Sequence, residues 1–283
     1  MSTVLDREEY VEQAYFFRTF RERIAQNLPT QDVLAMLDQE ILSTTRLPMA
    51  VQFLATETRH SGLLATGFER LTHYFNPFQA FVVRQAEEET RKFAMDTALL
   101  VLEREATYRA GTPTKPGLFI YQFETIARNR LGYMDGLIAM GDDPFFDADW
   151  RAYMETVRRS VGVVDFADLV YYRSDFAVME QRRKNSSFEP SVPMLFAEKE
   201  GKIAKASRGH DPLFLFAALQ RQLNYPEVPR SVVRDDASTK LKIMEDKLRT
   251  LEARLKLLEN ESRNGPIDLT QFGKPDLLKD DEE

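Results

Sequence analysis

Apolar positions recur every three to four residues along most of residues 1–224, and charged positions lie between them. Phe17, Phe20, Ile24 and Leu28 show this spacing near the start of the chain. Such spacing places the apolar side chains on one face of an α-helix. The pattern therefore predicts an all-α globular body, in which short breaks rich in proline, glycine or asparagine separate the helices.

One helix of this body is expected to be unusually long. Asn76 and Pro77 are typical of an N-cap followed by the first turn of a helix. The helical pattern that follows them continues from residue 78 to residue 110. The next stretch, GTPTKPG at residues 111–117, combines two prolines with two glycines. It predicts a loop and a subdomain boundary.

Two further segments depart from the helical pattern. Residues 192–206 contain two short β-prone runs around Glu200 and Gly201, which predicts a small β-hairpin inserted in the body. Residues 225–236 follow the last predicted helix of the body and contain two prolines. Prolines stiffen an extended chain, so this segment is predicted to be a linker.

The clearest pattern of the chain is a heptad repeat in residues 237–262, which predicts a coiled coil. A glycine and a proline directly after this segment end the predicted helix. The remaining residues, 263–283, finish on an acidic run and are expected to be disordered. The apolar core positions of the predicted coiled coil are Leu241, Met244, Leu248, Leu251, Leu255 and Leu258.

Charges beside this apolar seam predict the orientation of the helices. Position g is basic in three successive heptads and position e is acidic. Parallel helices would place opposite charges together, whereas antiparallel helices would place like against like. We therefore expect parallel self-association, with packing on the chain's own body and docking to another protein as alternatives. The interhelical ion pairs would be Lys240 with Glu245, Lys247 with Glu252, and Arg254 with Glu259.

The number of strands is less clearly specified by the sequence. Leucine at both core positions does not select among two, three or four helices. However, RLKLLE at residues 254–259 resembles the pattern Arg-apolar-x-x-apolar-Glu that is associated with short parallel trimers. This resemblance favours a trimer over a dimer.

Composition narrows the function classes. The chain has no cysteine, which excludes disulfides, thiolate nucleophiles and cysteine-based metal sites. A net charge of −7 argues against a protein that coats nucleic acid with its whole surface. The first residues are acidic where a signal peptide would be basic, and no apolar run approaches ~18 residues. We expect a cytoplasmic protein without a membrane partner.

Candidate catalytic chemistry is sparse. The chain has no Gly-rich phosphate loop, nucleophile elbow or dinucleotide fingerprint. Glu57 and His60 form a Glu-x-x-His step, and Glu69 and His73 lie four residues apart. Di-iron helical bundles use the first spacing twice, but this chain has it once. A metal- or ligand-binding helical-bundle enzyme around these four residues is therefore an alternative function, and no cofactor or metal is expected.

A second group of possible oxygen ligands is the run GDDPFFDAD at residues 141–149. It lacks the regular ligand spacing and the final glutamate of a calcium-binding EF-hand loop. Aspartates in a turn, with Asp147 as the N-cap of the next helix, explain the run without calcium.

One region departs from the acidic balance of the chain. Residues 181–234 contain ten Lys or Arg and five Asp or Glu, so their net charge is 10 − 5 = +5. Such a segment is either a solvated surface or a patch for an anionic partner such as nucleic acid. The candidate patch consists of Arg182, Arg183, Lys184, Lys199, Lys202, Lys205 and Arg208.

These patterns together predict a non-enzymatic helical interaction or scaffold protein that self-associates through its predicted coiled coil. Its partners would be copies of itself and a further protein that the sequence does not identify. Nucleic-acid binding through residues 181–234 is the other alternative, although the overall charge argues against it.

Overall fold

A computed structural model describes residues 4–26, 28–42, 44–88 and 92–231. These residues contain thirteen α-helices and no β-strand, so the prediction of a helical body is confirmed. None of these helices is both long enough and apolar enough to cross a lipid bilayer. The helices are α1 (Arg7–Ile24), α2 (Thr30–Leu37), α3 (Leu47–Ser61), α4 (Leu64–Arg70), α5 (Pro77–Glu87), α6 (Met95–Ala110), α7 (Lys115–Asn129), α8 (Tyr133–Gly141), α9 (Ala148–Ser160), α10 (Phe166–Tyr172), α11 (Asp175–Lys184), α12 (Glu198–Ala206) and α13 (Pro212–Leu223).

Aromatic side chains fill the core of this body. Phe17 of α1 is fully buried and packs against Phe68 and Phe75, with ring centroids 6.3 and 6.4 Å away. Farther along the chain, Phe123 of α7 stacks on Phe166 of α10 at 3.9 Å. Burying each such ring contributes roughly 1.5–3 kcal/mol of hydrophobic free energy. The phenylalanines of the helical pattern thus join distant helices into one core.

The predicted long helix over residues 78–110 is wrong, because the structure contains two helices there. Asn76 and Pro77 start α5 as expected, and Asn76 forms a capping box with Gln79. The helix ends at Glu87, whose carboxylate accepts hydrogen bonds from the first backbone N–H groups of α4, at 2.6 and 2.9 Å. Phe93 is buried before α6 begins. The gap between α5 and α6 contains no proline or glycine. Instead, the tertiary contacts of Glu87 lie just before it, and the buried Phe93 lies near its end.

The predicted β-hairpin over residues 192–206 is also wrong. Residues 198–206 form α12, and the preceding segment makes only an isolated bridge between Phe196 and Ser174. Gly201, read from the sequence as a turn residue, lies inside α12 against Ser174. A β-carbon at this glycine would lie 2.2 Å from the Ser174 hydroxyl oxygen. The glycine therefore permits close helix packing and does not form a turn.

The first part of the predicted linker packs on the body. Tyr225 and Val228 are buried, and the Tyr225 hydroxyl donates a 2.6 Å hydrogen bond to Glu124. The Asn129 side-chain amide donates to the carbonyl oxygen of Pro229 at 3.0 Å. The loop at residues 111–117, predicted as a subdomain boundary, lies within a compact unit that extends to Ser231. The predicted coiled coil and tail, residues 237–283, lie outside the described residues.

A substitution pair tests the packing role of Gly201. Alanine is a better helix former than glycine by about 1 kcal/mol, but overpacking typically costs about 1–3 kcal/mol. The β-carbon of Gly201→Ala would also lie 2.6 Å from the Ser174 β-carbon, which cannot rotate away. We therefore expect Gly201→Ala to lower the free energy of unfolding by up to about 2 kcal/mol in urea denaturation.

Gly141→Ala is the matched control, because a β-carbon there would meet no atom within 4 Å. It should leave the free energy of unfolding unchanged or raise it. Equal effects of the two substitutions would contradict the packing role assigned to Gly201.

Candidate functional site

The predicted basic patch lies on α11, α12 and the residue stretch after them. The side-chain oxygen of Ser174 caps α11 by accepting a hydrogen bond from a first-turn N–H group. Asp175 lies in the first turn and three cations lie in the last turn, an order that matches the helix dipole. The local sequence thus places adjacent exposed cations at the carboxyl end of α11. They are Arg182, Arg183 and Lys184.

Nearby carboxylates neutralise three of the seven predicted patch cations. All three pairs lie at least partly in solvent, where an ion pair contributes only about 0.2–1 kcal/mol. The basic surface that remains available to a partner is accordingly smaller than the sequence predicts. The pairs are Lys202 with Glu198 at 2.5 Å, Lys205 with Glu180 at 2.5 Å, and Arg208 with Asp168 at 2.6 Å.

The other four cations remain available. Arg182, Arg183, Lys184 and Lys199 are exposed, and none has a carboxylate within 4.0 Å in the part of the chain that the structure describes. Arg182 is oriented by its Nε, which donates a 3.2 Å hydrogen bond to the carbonyl oxygen of Phe188. The free positive charge is therefore concentrated at the end of α11 and the start of α12.

Two tyrosines at the end of α10 hold Arg208 on their faces. The Arg208 guanidinium lies 4.0 Å from the ring centroid of Tyr171 and 5.5 Å from that of Tyr172. The Tyr171 hydroxyl donates a 2.6 Å hydrogen bond to Glu180. Burial and this carboxylate raise the pKa of Tyr171 to about 12, so the hydroxyl stays protonated at neutral pH. Cation–π stacking thus places Arg208 beside an aromatic wall.

This aromatic wall belongs to a pocket of about 170 Å³ between the end of α10, α11 and residues 188–194. The pocket is smaller than the ~300–1,000 Å³ typical of sites that enclose whole small molecules. Its size suits one large side chain of a docked peptide. We call it the α10–α11 pocket; it is lined by Tyr171, Tyr172, Ala177, Val178, Gln181, Phe188, Pro190, Ser191, Val192 and Met194.

The four candidate metal ligands do not form one site. Glu57 pairs with Arg70 at 2.7 Å, and Glu69 pairs with Arg84 at 3.3 Å. His60 and His73 are exposed. Among the described residues, no group of three or more histidine, aspartate or glutamate side chains could hold a metal ion. The two glutamates that the sequence suggested as metal ligands therefore form ion pairs with arginines.

Glu69 and Arg84 also line a cavity of about 370 Å³ between α4, α5 and α8. Its walls are largely apolar, and Asp135 and Asp142 of the α8 region stand exposed at its edge. The described residues that line it include no histidine, and Thr72 supplies the hydroxyl group of the lining.

A buried charge cluster of Glu105, Arg109 and Asp143 was missed by the sequence analysis. Arg109 Nη2 donates to Glu105 Oε1 at 2.8 Å and to Asp143 Oδ2, and Gln122 donates to the same Glu105 oxygen at 2.8 Å. The side chains of Arg109, Glu105 and Asp143 are only 2%, 0% and 1% exposed. A solvated helix pair four residues apart has the same spacing, so the sequence carries no signal of this burial. The cluster is closed to ligands and is structural.

The aspartates at residues 141–149 are explained by the same contacts. Asp143 belongs to the buried cluster and also accepts a 3.0 Å hydrogen bond from the Phe145 backbone. Asp147 caps α9 by accepting from the Trp150 N–H at 3.1 Å, as predicted. Asp143 and Asp147 therefore each have hydrogen-bond partners within the protein.

Two carboxylates share the single Arg109 guanidinium, and this imbalance affects Glu105. Desolvation by burial raises the pKa of Glu105 above its usual range, even though Arg109 opposes the shift. Its second oxygen, Oε2, has no hydrogen-bond partner among the described residues. For Arg109, burial disfavours the charged form, but Asp143 and Glu105 outweigh it and the pKa is raised. Burial thus raises the pKa of Glu105, while the two carboxylates favour the charged form of Arg109.

Comparison with known proteins identifies no relative, since no family model, curated protein or solved structure matches the chain. The function must therefore be inferred from the residues and from the surfaces described above.

The protonation of Glu105 is tested by Glu105→Gln. A raised folded-state pKa makes the wild-type chain lose stability as pH rises above the ordinary glutamate value of 4.5, whereas the amide does not titrate. We expect the free energy of unfolding of Glu105→Gln, relative to wild type, to increase between pH 5 and pH 8. Urea denaturation at both pH values measures this difference.

Asp143→Ala is the comparison variant, because it leaves Arg109 short of a partner in the interior. Breaking a buried pair in this way costs about 3–5 kcal/mol. If Glu105→Gln were as damaging as Asp143→Ala at pH 8, Glu105 would be needed as a charged group.

Proposed function

We propose that this protein is a non-enzymatic helical interaction protein that self-associates through a parallel coiled coil over residues 237–262. The observation that carries the proposal is the uninterrupted apolar seam with basic g and acidic e positions. An amphipathic helix that packs only on its own body has no need of matched charges on both sides of its apolar face. Copies of the same helix do need them, because the charges select the parallel orientation.

The end of the described body supports this proposal. The Ser231 N–H donates a 2.9 Å hydrogen bond to Asn129, and its hydroxyl donates to the Lys92 carbonyl oxygen at 3.1 Å. The chain is thus held on the body six residues before the apolar seam begins at residue 237.

Assembly would multiply weak contacts of the body with a partner. The apolar seam would supply most of the association energy, and each exposed charge pair would contribute only about 0.2–1 kcal/mol. A trimer, favoured over a dimer by the RLKLLE pattern, would present three copies of the α10–α11 surface. Simultaneous binding of several copies raises the apparent affinity without any new contact.

The alternative functions receive less support from the described residues. The metal- or ligand-binding enzyme would need Glu57, His60, Glu69 and His73 to converge, but the two glutamates pair with different arginines. The nucleic-acid alternative relies on a patch in which three of seven cations already have carboxylate partners. Self-association depends on neither set of residues.

Charge reversal in the full-length chain tests the proposal. One variant carries Lys240→Glu, Lys247→Glu and Arg254→Glu, and the other carries Glu245→Lys, Glu252→Lys and Glu259→Lys. Each variant alone would place like charges together, so we expect a shift towards monomer in sedimentation velocity. Mixing the two variants should restore association, fully in a parallel dimer and in part in a trimer, because opposite charges then meet at both interfaces of a dimer but at only two of the three interfaces of a mixed trimer.

The control changes the same number of charges on the outer face of the predicted helix, with Lys242→Glu, Arg249→Glu and Lys256→Glu. It should sediment like the wild-type chain. If the reversed variants also sediment like wild type, or if a chain ending at Val233 does so, the parallel coiled coil is wrong.

A further inference from the structure

The α10–α11 pocket is open and has both polar and apolar surface, and the exposed cations Arg182, Arg183 and Lys184 follow its lining residues on α11. Tyr172 and Val192 at its rim are 61% and 45% exposed, which is unusual for large apolar side chains around a pocket. We propose that this pocket binds the acidic, leucine-containing segment of this chain's own residues 276–283, within one chain or between neighbouring copies.

The shape of the pocket specifies an apolar side chain. Ala177 and Val178 of α11 form a buried floor, and Phe188, Pro190 and Met194 contribute apolar walls. Its volume of about 170 Å³ leaves room for one large side chain and not for a folded domain. Covering the exposed apolar rim would remove it from water, which favours binding.

Charge defines the second requirement. Arg182 lies at the Phe188 wall and has no carboxylate within 4.0 Å in the described part of the chain, whereas Arg208 on the tyrosine wall is already paired with Asp168. Arg183 and Lys184 follow directly at the end of α11. Glu180 is taken by Lys205, whose hydrogen bond lowers the pKa of this carboxyl, and Glu189 is the exposed acid that remains near the walls. The surroundings therefore favour a ligand with several carboxylates.

Residues 276–283, DLLKDDEE, meet both requirements. Leu277 and Leu278 supply apolar side chains, and one lysine against five acidic residues gives 1 − 5 = −4. This charge complements the exposed cations Arg182, Arg183 and Lys184 at the end of α11, which have no carboxylate within 4.0 Å in the described part of the chain.

A long stretch of chain separates the described body from this segment. Residues 232–275 comprise 44 residues. Even if residues 237–262 were a helix of ~39 Å at ~1.5 Å per residue, the other residues would span up to ~60 Å at ~3.3 Å each.

The same observations favour a peptide over a nucleic acid. A nucleic acid would need a continuous array of free cations for its phosphates, but Lys202, Lys205 and Arg208 are already paired. A phosphate backbone would also leave the apolar pocket unfilled. The proposal does not rest on self-association, because docking within a single chain would satisfy it.

The absence of cysteine allows a direct test by disulfide trapping in the full-length chain. Ser191→Cys at the pocket wall is combined with Lys279→Cys in the acidic segment. The control combines Lys279→Cys with Thr112→Cys, an exposed position in the loop before α7. We expect the pocket pair to form a disulfide at least tenfold faster than the control pair under mild oxidation. Non-reducing gels distinguish bonds within one chain from bonds between chains.

Two further changes test the apolar and rim contributions. Leu277→Ser with Leu278→Ser should slow trapping of the pocket pair to the control rate, and so should Val192→Asp. Val163→Asp is the matched control, since this valine is 87% exposed and lies outside the pocket. It should leave the trapping rate unchanged.

Equal trapping rates for the pocket and control pairs would overturn the proposal, as would equal effects of Val192→Asp and Val163→Asp. A third result would also overturn it. If trapping is not accelerated, and a single-stranded oligonucleotide binds with steep salt dependence that Arg182→Glu, Arg183→Glu and Lys184→Glu abolish, the surface belongs to nucleic acid. The sedimentation of the charge-reversed variants is unaffected by any of these outcomes, so the two proposals fail separately.

Discussion

The body of this protein depends on keeping the buried Arg109 guanidinium neutralised. An unpaired charge in the interior would cost several kcal/mol, so the segments that carry its partners must meet. Glu105 comes from α6, Asp143 from the turn after α8, and the Tyr10 ring of α1 lies 5.8 Å from the guanidinium. Gln122 of α7 satisfies the same carboxylate oxygen. One charge thus contacts four parts of the helical body, which also share the hydrophobic core.

The surface that we assign to partner binding is built by the same kind of close packing. Gly201 lets α12 approach Ser174, the residue that caps α11. This approach brings Lys205 to Glu180 and leaves the cations at the end of α11 free. Which of the patch cations are paired with a carboxylate therefore depends on how α11 and α12 pack against each other.

The sequence analysis was correct for helix caps, because a cap depends on residues that are close together in the chain. Asn76 and Asp147 were predicted to cap helices, and both accept the expected first-turn hydrogen bonds. The long helix and the hairpin were wrong because their outcome depends on distant groups. Glu87 ends α5 at the N-terminus of α4, and Gly201 faces a serine of another helix. The helical pattern of apolar residues continues past Glu87, so the sequence does not show that the helix ends there. A glycine such as Gly201 is common in turns, so the sequence favoured a turn over a site of close helix packing.

By itself, the sequence determined the helical character of the body, the absence of thiol chemistry, and the heptad pattern from which self-association is inferred. Each follows from residue identity or from spacing within a few turns. Only the tertiary structure decided which charges are used and which are free. Glu57 meets Arg70 and not a metal, and Glu105 and Arg109 are buried although their spacing is that of a solvated pair. Distances through space between separate helices decide these pairings, and a linear pattern does not encode them.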